Sequence, residues 1–241
     1  MTRRRWIADE VSGNRAALTG EHADHLIRTL RARVGQEFDI ATGPVVRRGR
    51  IAVIANQRVE FDLAEELPAA ATAKITLVLA IFKFDRMEWA IEKCTELGVS
   101  RIVPVITRRT DAHLAAASAK RVERWRRLAL QASEQSRRAG PPEIMAPLKV
   151  SDATALPGAL RIVLAESQQQ PLRDVLESDA IESHPPESQI ILAVGPEGGW
   201  AEDELELFHT SGWVSASLGS RILRAETAAI AATAIVISQL S

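Results

Sequence analysis

Cysteine is all but absent from this chain: Cys94 stands alone among 241 residues. A single thiol cannot close an internal disulfide or supply the paired thiolates of a zinc site, which points to a reducing compartment and away from metal chemistry. Long apolar runs are missing as well. No stretch approaches the roughly 20 residues that cross a bilayer, and the opening MTRRRWIADE has no apolar core of a secretory signal, so a cytoplasmic protein is expected. The nucleotide P-loop pattern and the dinucleotide fingerprint are both lacking, which removes the commonest phosphate cradles. There is no internal repeat or low-complexity tract.

An excess of charge of one sign is lacking overall, at a formal net charge of -1, but the total conceals an asymmetry along the chain. Residues 1–60 hold 11 Lys/Arg against 7 Asp/Glu, residues 101–140 hold 10 against 3, and residues 141–210 hold 3 against 13. Two basic stretches therefore precede an acidic one. Clustered arginine is the footprint of phosphate binding, since it displaces counterions and presents planar paired donors; by charge alone, a solvated face is the favoured reading.

What is present is the composition of a folded protein, 46% hydrophobic and 25% charged, in two patterns. Residues 1–67 show short alternating segments (RRRWIAD, EFDIATG, RRGRIAVIA, QRVEFDLAE) around one helical stretch, HADHLIRTLR, and read as a small β-rich barrel. PAAATA, residues 68–73, is the candidate linker. From Lys74 onward buried strands alternate with helices: KITLVLAIF, VSRIVPVI, ALRIVLAE, QIILAVG and WVSASLG, the signature of an α/β domain with a parallel sheet. In the first helix Asp85 is the expected cap, Glu88 completes a capping box, Ala90, Ile91, Cys94 and Leu97 form the apolar face, and Gly98 ends it. A second helix, expected over residues 118–138, buries Val122, Trp125, Leu128 and Ala132 and displays Arg121, Arg124, Arg127, Arg137 and Arg138.

The most informative segment is residues 189–208, where an apolar strand runs into Gly195-Pro196-Glu197-Gly198-Gly199 and then into a helix. Glycines at the carboxyl end of a parallel strand let the backbone approach a ligand, and ligands of open α/β sheets sit at that edge. Glu202, Asp203 and Glu204 in the next turn already answer the helix dipole and repel an anion, so the loop suits a neutral or cationic ligand. A tight turn without a ligand is the competing reading of GPEGG alone. A second strand-end glycine, Gly219, precedes Arg221, Arg224, Glu226 and Thr227, charged and polar groups at the head of an alanine-rich helix where burial requires a partner or a function.

GPEGGW at 195–200 and LGSRILRAETAA at 218–229 resemble the SPOUT methyltransferases, specifically the RsmE type that methylates N3 of a uridine in 16S ribosomal RNA. HADHLIRTLRARVGQEF (22–38), KFDRMEWAIEKCTELGVSRIVPV (83–105) and ERWRRLALQASEQSRR (123–138) extend the resemblance, in order, over nearly the whole chain. It implies a PUA-like RNA-binding domain over residues 1–72, a SPOUT domain over 73–241 with a deep C-terminal trefoil knot, and a homodimer with its site near the interface. Periodicity alone gives a plain doubly wound sheet, because knots are almost absent from proteins. The cofactor implied is S-adenosyl-L-methionine, and the substrate uridine 1498, in RNA numbering, of an assembled small ribosomal subunit. Three loops are implied to hold the cofactor. Leu164, Ala165 and Glu166 come from the first; Gly195, Pro196, Glu197, Gly198 and Gly199 from the second; Leu218, Gly219, Ile222, Leu223, Arg224 and Thr227 from the third.

Removing the imide proton of uridine requires a general base or a cation that stabilises the ring anion. Arg224 is the candidate cation, with Glu197 and Glu226 the candidate bases; a loop-stabilising role for Glu197 and a structural ion pair between Arg224 and Glu226 are the bland alternatives. Arg3, Arg4, Arg5, His25, Arg28, Arg31, Arg137 and Arg138 are the candidate RNA contacts, positioning the chain on phosphates without reading sequence. His22 and His25 have a spacing that fits metal, but no third ligand is evident, so no metal is expected. Trp6, Trp125, Trp200 and Trp213 are assigned no base-stacking role. The rival functions are a noncatalytic RNA-binding assembly factor, an enzyme using another adenosine cofactor, and a methyltransferase acting at another RNA site.

Overall fold

The computed structural model describes residues 5–43, 45–67, 74–136, 138–166, 170–177 and 189–239. Arg3, Arg4, Arg137, Ser167 and the expected linker 68–73 lie outside the described residues. The chain divides into two compact units, Met1–Ala70 with Ser133–Gly140, and Ala71–Ala132 with Pro141–Ser241.

In the first unit, β1 (Arg5–Ile7), β2 (Glu10–Ser12), β3 (Arg15–Thr19), β4 (Glu37–Ala41), β5 (Val46–Ala55) and β6 (Arg58–Leu67) form one sheet in the order β1-β4-β5-β6-β3-β2. All its pairings are antiparallel except β1 with β4. Strand β6 shows the cause: Val59, Phe61 and Leu63 are buried while Glu60 and Asp62 alternate outward, the period of two of a half-buried strand. Leu18, Leu26, Ile40 and Ile51 complete that core. The expected single helix is instead α1 (Gly20–Asp24) running into a π-helical turn, His25–Thr29, which buries Leu26 and is followed by Arg31 at φ 50°. His22 is held here, its Nδ1 2.9 Å from Asp9 Oδ1 and its Nε2 3.0 Å from Glu134 Oε1. Burial raises the Glu134 carboxyl above the usual carboxylate range, against the opposing pull of His22.

The second unit is built on β7 (Ile75–Ala80), β8 (Arg101–Ile106), β9 (Glu143–Ile144), β10 (Leu148–Lys149), β11 (Leu160–Leu164), β12 (Ile190–Val194) and β13 (Val214–Ala216). The order is β10-β8-β7-β12-β11-β13, with β9 also on β8, and every pairing is parallel. Parallel sheets are covered on both faces, which is why β7 and β12 are buried at every position. Side chains alternate between two cores. Leu77, Leu79, Ile162 and Leu192 meet α2 (Phe84–Leu97), α3 (Ala112–Gln135), α5 (Leu172–Glu177) and the final helix α7 (Ala225–Gln239). Val78, Val103, Val163 and Ala193 meet α4 (Val150–Thr154) and α6 (Glu202–Thr210) through Trp213 and Phe208.

Two helix boundaries differ from expectation. α2 begins one residue before Asp85, with Lys83 at its N-cap and no side-chain cap; Glu88 binds the Arg124 guanidinium at 2.6 and 2.7 Å instead of closing a capping box. Leu97 is only half-buried, while Gly98 ends the helix at φ 113° as expected. α3 starts at Ala112 rather than residue 118, because the Asp111 carboxylate accepts the amide of His113 at 2.7 Å, and it stops at Gln135, short of Arg138. Leu128 on α3 is half-buried beside the buried Val122, Trp125 and Ala132.

Candidate functional site

Strands β11, β12 and β13 lie side by side, and the segments leaving their carboxyl ends enclose a cavity of about 240 Å³. Its walls are Leu164, Ala165 and Glu166 from the first; Gly195, Pro196, Gly198, Gly199 and Trp200 from the second; and Ser217, Leu218, Gly219, Arg221 and Leu223 from the third. Hydrogen bonds fix the frame: Ala165 N donates to Ala216 O at 3.0 Å, Ser217 N to Gln170 O at 2.9 Å, and Leu172 N to Ser217 O at 2.8 Å.

Gly195 gives the Trp200 indole room. A Cβ there would stand 3.1 Å from the indole nitrogen of Trp200, which donates to Leu164 O at 3.0 Å and so ties the second segment to the end of β11. The indole is 6% exposed and stacks edge-on to Phe208, which does the same to Trp213. Gly199, at φ 72°, closes the turn by donating its amide to Pro196 O at 2.8 Å.

Glu202, Asp203 and Glu204 fill the first turn of α6 as expected, but they stand off the cavity wall. Glu204 is 6% exposed and spans two loops, accepting Ala201 N at 2.9 Å and Arg108 N at 2.8 Å; Asp203 pairs with Arg108 at 3.1 Å. The charged groups on the cavity wall are Glu166, Arg109 and Arg221.

Ten of the fourteen expected cofactor residues line the cavity, and Glu197, Ile222, Arg224 and Thr227 do not. Ile222 and Arg224 are exposed. Glu226 is buried; its Oε1 is 3.9 Å from Arg86 Nε, and its Oε2 has no hydrogen-bond partner among the described residues. Arg86 also pairs with Glu197, so it joins the glycine loop to the head of α7. Arg109, Val194, Trp200, Leu205, Ala216, Ser217, Arg221, Ala225 and Ala228 also line the cavity, outside the expected set. Among the RNA candidates, His25, Arg28 and Arg31 are exposed, Arg28 pairing with Asp24 at 3.6 Å, whereas Arg5 and Arg138 are half-buried. No group of three potential metal ligands occurs among the described residues, and no helix among them is long and apolar enough to cross a membrane.

A parallel sheet with a glycine-walled cavity at its carboxyl edge defines a ligand-binding α/β protein. The model of the RNA methyltransferase domain matches residues 69–237. Ribosomal RNA small subunit methyltransferase E of Rickettsia conorii is 34% identical over 93% of this chain and 90% of its own length; that of Synechocystis is 34% identical over 90% and 71%. The Neisseria gonorrhoeae ribosomal RNA small subunit methyltransferase E, solved bound to S-adenosyl methionine, is 30% identical with a TM-score of 0.81, covering 97% of this chain and 96% of that one. The chain belongs to the RNA methyltransferase domain family, alongside the ribosomal RNA small subunit methyltransferases E.

Proposed function

We propose that this chain transfers a methyl group from S-adenosyl-L-methionine to N3 of a uridine in 16S ribosomal RNA, uridine 1498 in RNA numbering, in the small ribosomal subunit. The observation that carries the reading is the cavity itself, assembled from the three segments that bear the family resemblance. Its make-up fits the cofactor. Leu164, Val194, Leu218, Leu223 and Ala228 offer apolar walls for an adenine, glycines at 195, 198, 199 and 219 bare their peptide groups, and Glu166 supplies a carboxylate for ribose hydroxyls. When bound, S-adenosylmethionine supplies an electrophilic methyl group on a sulfonium.

The protein's part is to hold that group in line with N3 and to manage the imide proton. Arg224, Glu197 and Glu226 are kept as candidates for this task, with Arg86 setting the position of both carboxylates. The first unit is proposed to be a PUA-like RNA-binding domain over residues 1–72, with Arg3, Arg4, Arg5, His25, Arg28 and Arg31 contacting phosphates, and Arg137 and Arg138 are proposed as further RNA contacts. The catalytic domain over residues 73–241 is proposed to be knotted at its C-terminus, to act in the cytoplasm and to work as a homodimer. Trp89 at 48% exposure and Ile222 at 82% support burial against a second copy.

The test is nucleotide-resolution mapping of small-subunit RNA from cells lacking the protein. Loss of one N3-methyluridine, restored by purified protein and S-adenosylmethionine, is expected; an unchanged methylation map with no heat of cofactor binding in calorimetry would leave the noncatalytic assembly-factor reading.

A further inference from the structure

We propose that Arg109 is the cation that stabilises the negative charge on the uracil ring during methyl transfer, an assignment that rests on the N3-uridine reading above. Arg109 lies in the turn after β8 and lines the cavity from outside the three expected loops. That turn is rigidly made: Thr107 N donates to Thr110 Oγ1 at 3.0 Å, Thr110 Oγ1 donates to Ile81 O at 3.2 Å, and Arg108 N donates to the buried Glu204 carboxylate. The two neighbouring arginines then diverge in role. Arg108 spends its charge on Asp203, 3.1 Å away, whereas Arg109 has no carboxylate partner among the described residues.

Arg109 is also held in place. Its Nη1 donates to Gly198 O, and its Cδ is 3.3 Å from where a Cβ on Gly198 would stand, so the glycine makes room for the side chain. The other cavity arginine, Arg221, is exposed like Arg109 but has no hydrogen bond or ion pair among the described residues, and Arg224 does not reach the cavity wall. A fixed, uncompensated guanidinium at the exposed lip is what charge stabilisation needs, because its orientation requires no reorganisation during the reaction.

In this step the uracil N3–H bond breaks and its proton passes to the general base, for which Glu197 and Glu226 are the candidates. The electron pair left on the ring, spread onto O2 and O4, forms the N3–CH3 bond as the methyl–sulfur bond breaks with its electrons going to sulfur. Arg109 donates to the ring oxygen carrying the charge and is unchanged at the end.

The experiment compares wild type, Arg109→Ala and Arg109→Lys on small subunits carrying uridine or the more acidic 5-fluorouridine, across pH, with the cofactor Kd measured by calorimetry. For Arg109→Ala, kcat at neutral pH is expected to fall roughly 10²–10³-fold with the Kd for S-adenosylmethionine unchanged. The deficit should shrink by up to about tenfold per pH unit as N3 ionises on its own, shrink again on 5-fluorouridine RNA, and be partly restored in Arg109→Lys. A deficit equal at every pH and on both RNAs, or one confined to the cofactor Kd, would overturn the assignment and make Arg109 a strap or an anchor for the cofactor carboxylate. Wild-type protein that leaves uridine N3 unmethylated would overturn the functional reading and this inference with it.

Discussion

At the scale of single residues, contact distances set what each position tolerates. Gly195→Ala drives a methyl group against the Trp200 indole and disturbs its bond to Leu164 O, the joint between two cavity walls. Overpacking of this kind costs about 1–3 kcal/mol; where it falls on the cavity walls, S-adenosylmethionine binding should weaken by about fivefold to 150-fold in calorimetry. Cys94 makes a different case. Burial pushes its thiol from 9.0 up to about 12, with a bond to Thr233 pulling weakly the other way. The folded state therefore holds the thiol proton more tightly than the unfolded chain. Its contribution to stability is whole below pH 9.0 and is lost as pH rises toward about 12. The urea midpoint should fall between pH 8 and pH 10.5 by more in wild type than in Cys94→Ala, and a thiol reagent should label Cys94 only after unfolding.

At the scale of elements, Glu204 joins the start of α6 to the turn after β8 through two backbone amides. Glu204→Ala leaves Arg108 N and Ala201 N without their acceptor and should cost about 1–3 kcal/mol, read as a lower urea midpoint at constant slope. The same joint shows where sequence reading stops. α2 and the glycine loop were legible because apolar positions recur every three to four residues and because glycine is the residue that fits a crowded or left-handed site. The start of α3 is legible in Asp111, whose carboxylate caps it. β9 and β10, two residues each, are too short to carry a period. Arg109 could not be found locally. It reaches Gly198, 89 residues away, only because β12 inserts between β7 and β11, and sheet order is a property of long-range pairing.

At the scale of the whole molecule, the proposed pairing of two copies predicts a mass near twice 26.3 kDa by light scattering. Trp89→Glu places a charge on the half-exposed face of α2 and should yield the single-chain mass with helical content unchanged. A wild-type protein that scatters as one chain at micromolar concentration would reject the pairing. The near-neutral net charge hides the basic stretches, and so the composition alone gave no sign of an RNA partner.

The Trp200 indole has one further consequence. Because it forms part of the cavity wall and spends its N–H on a carbonyl of the neighbouring strand, anything that fills the cavity alters the electric field around a chromophore the protein already contains. Ligand occupancy should therefore be readable as a change in ultraviolet emission without any label, and Trp200→Phe, which leaves the other four tryptophans in place, should silence that signal.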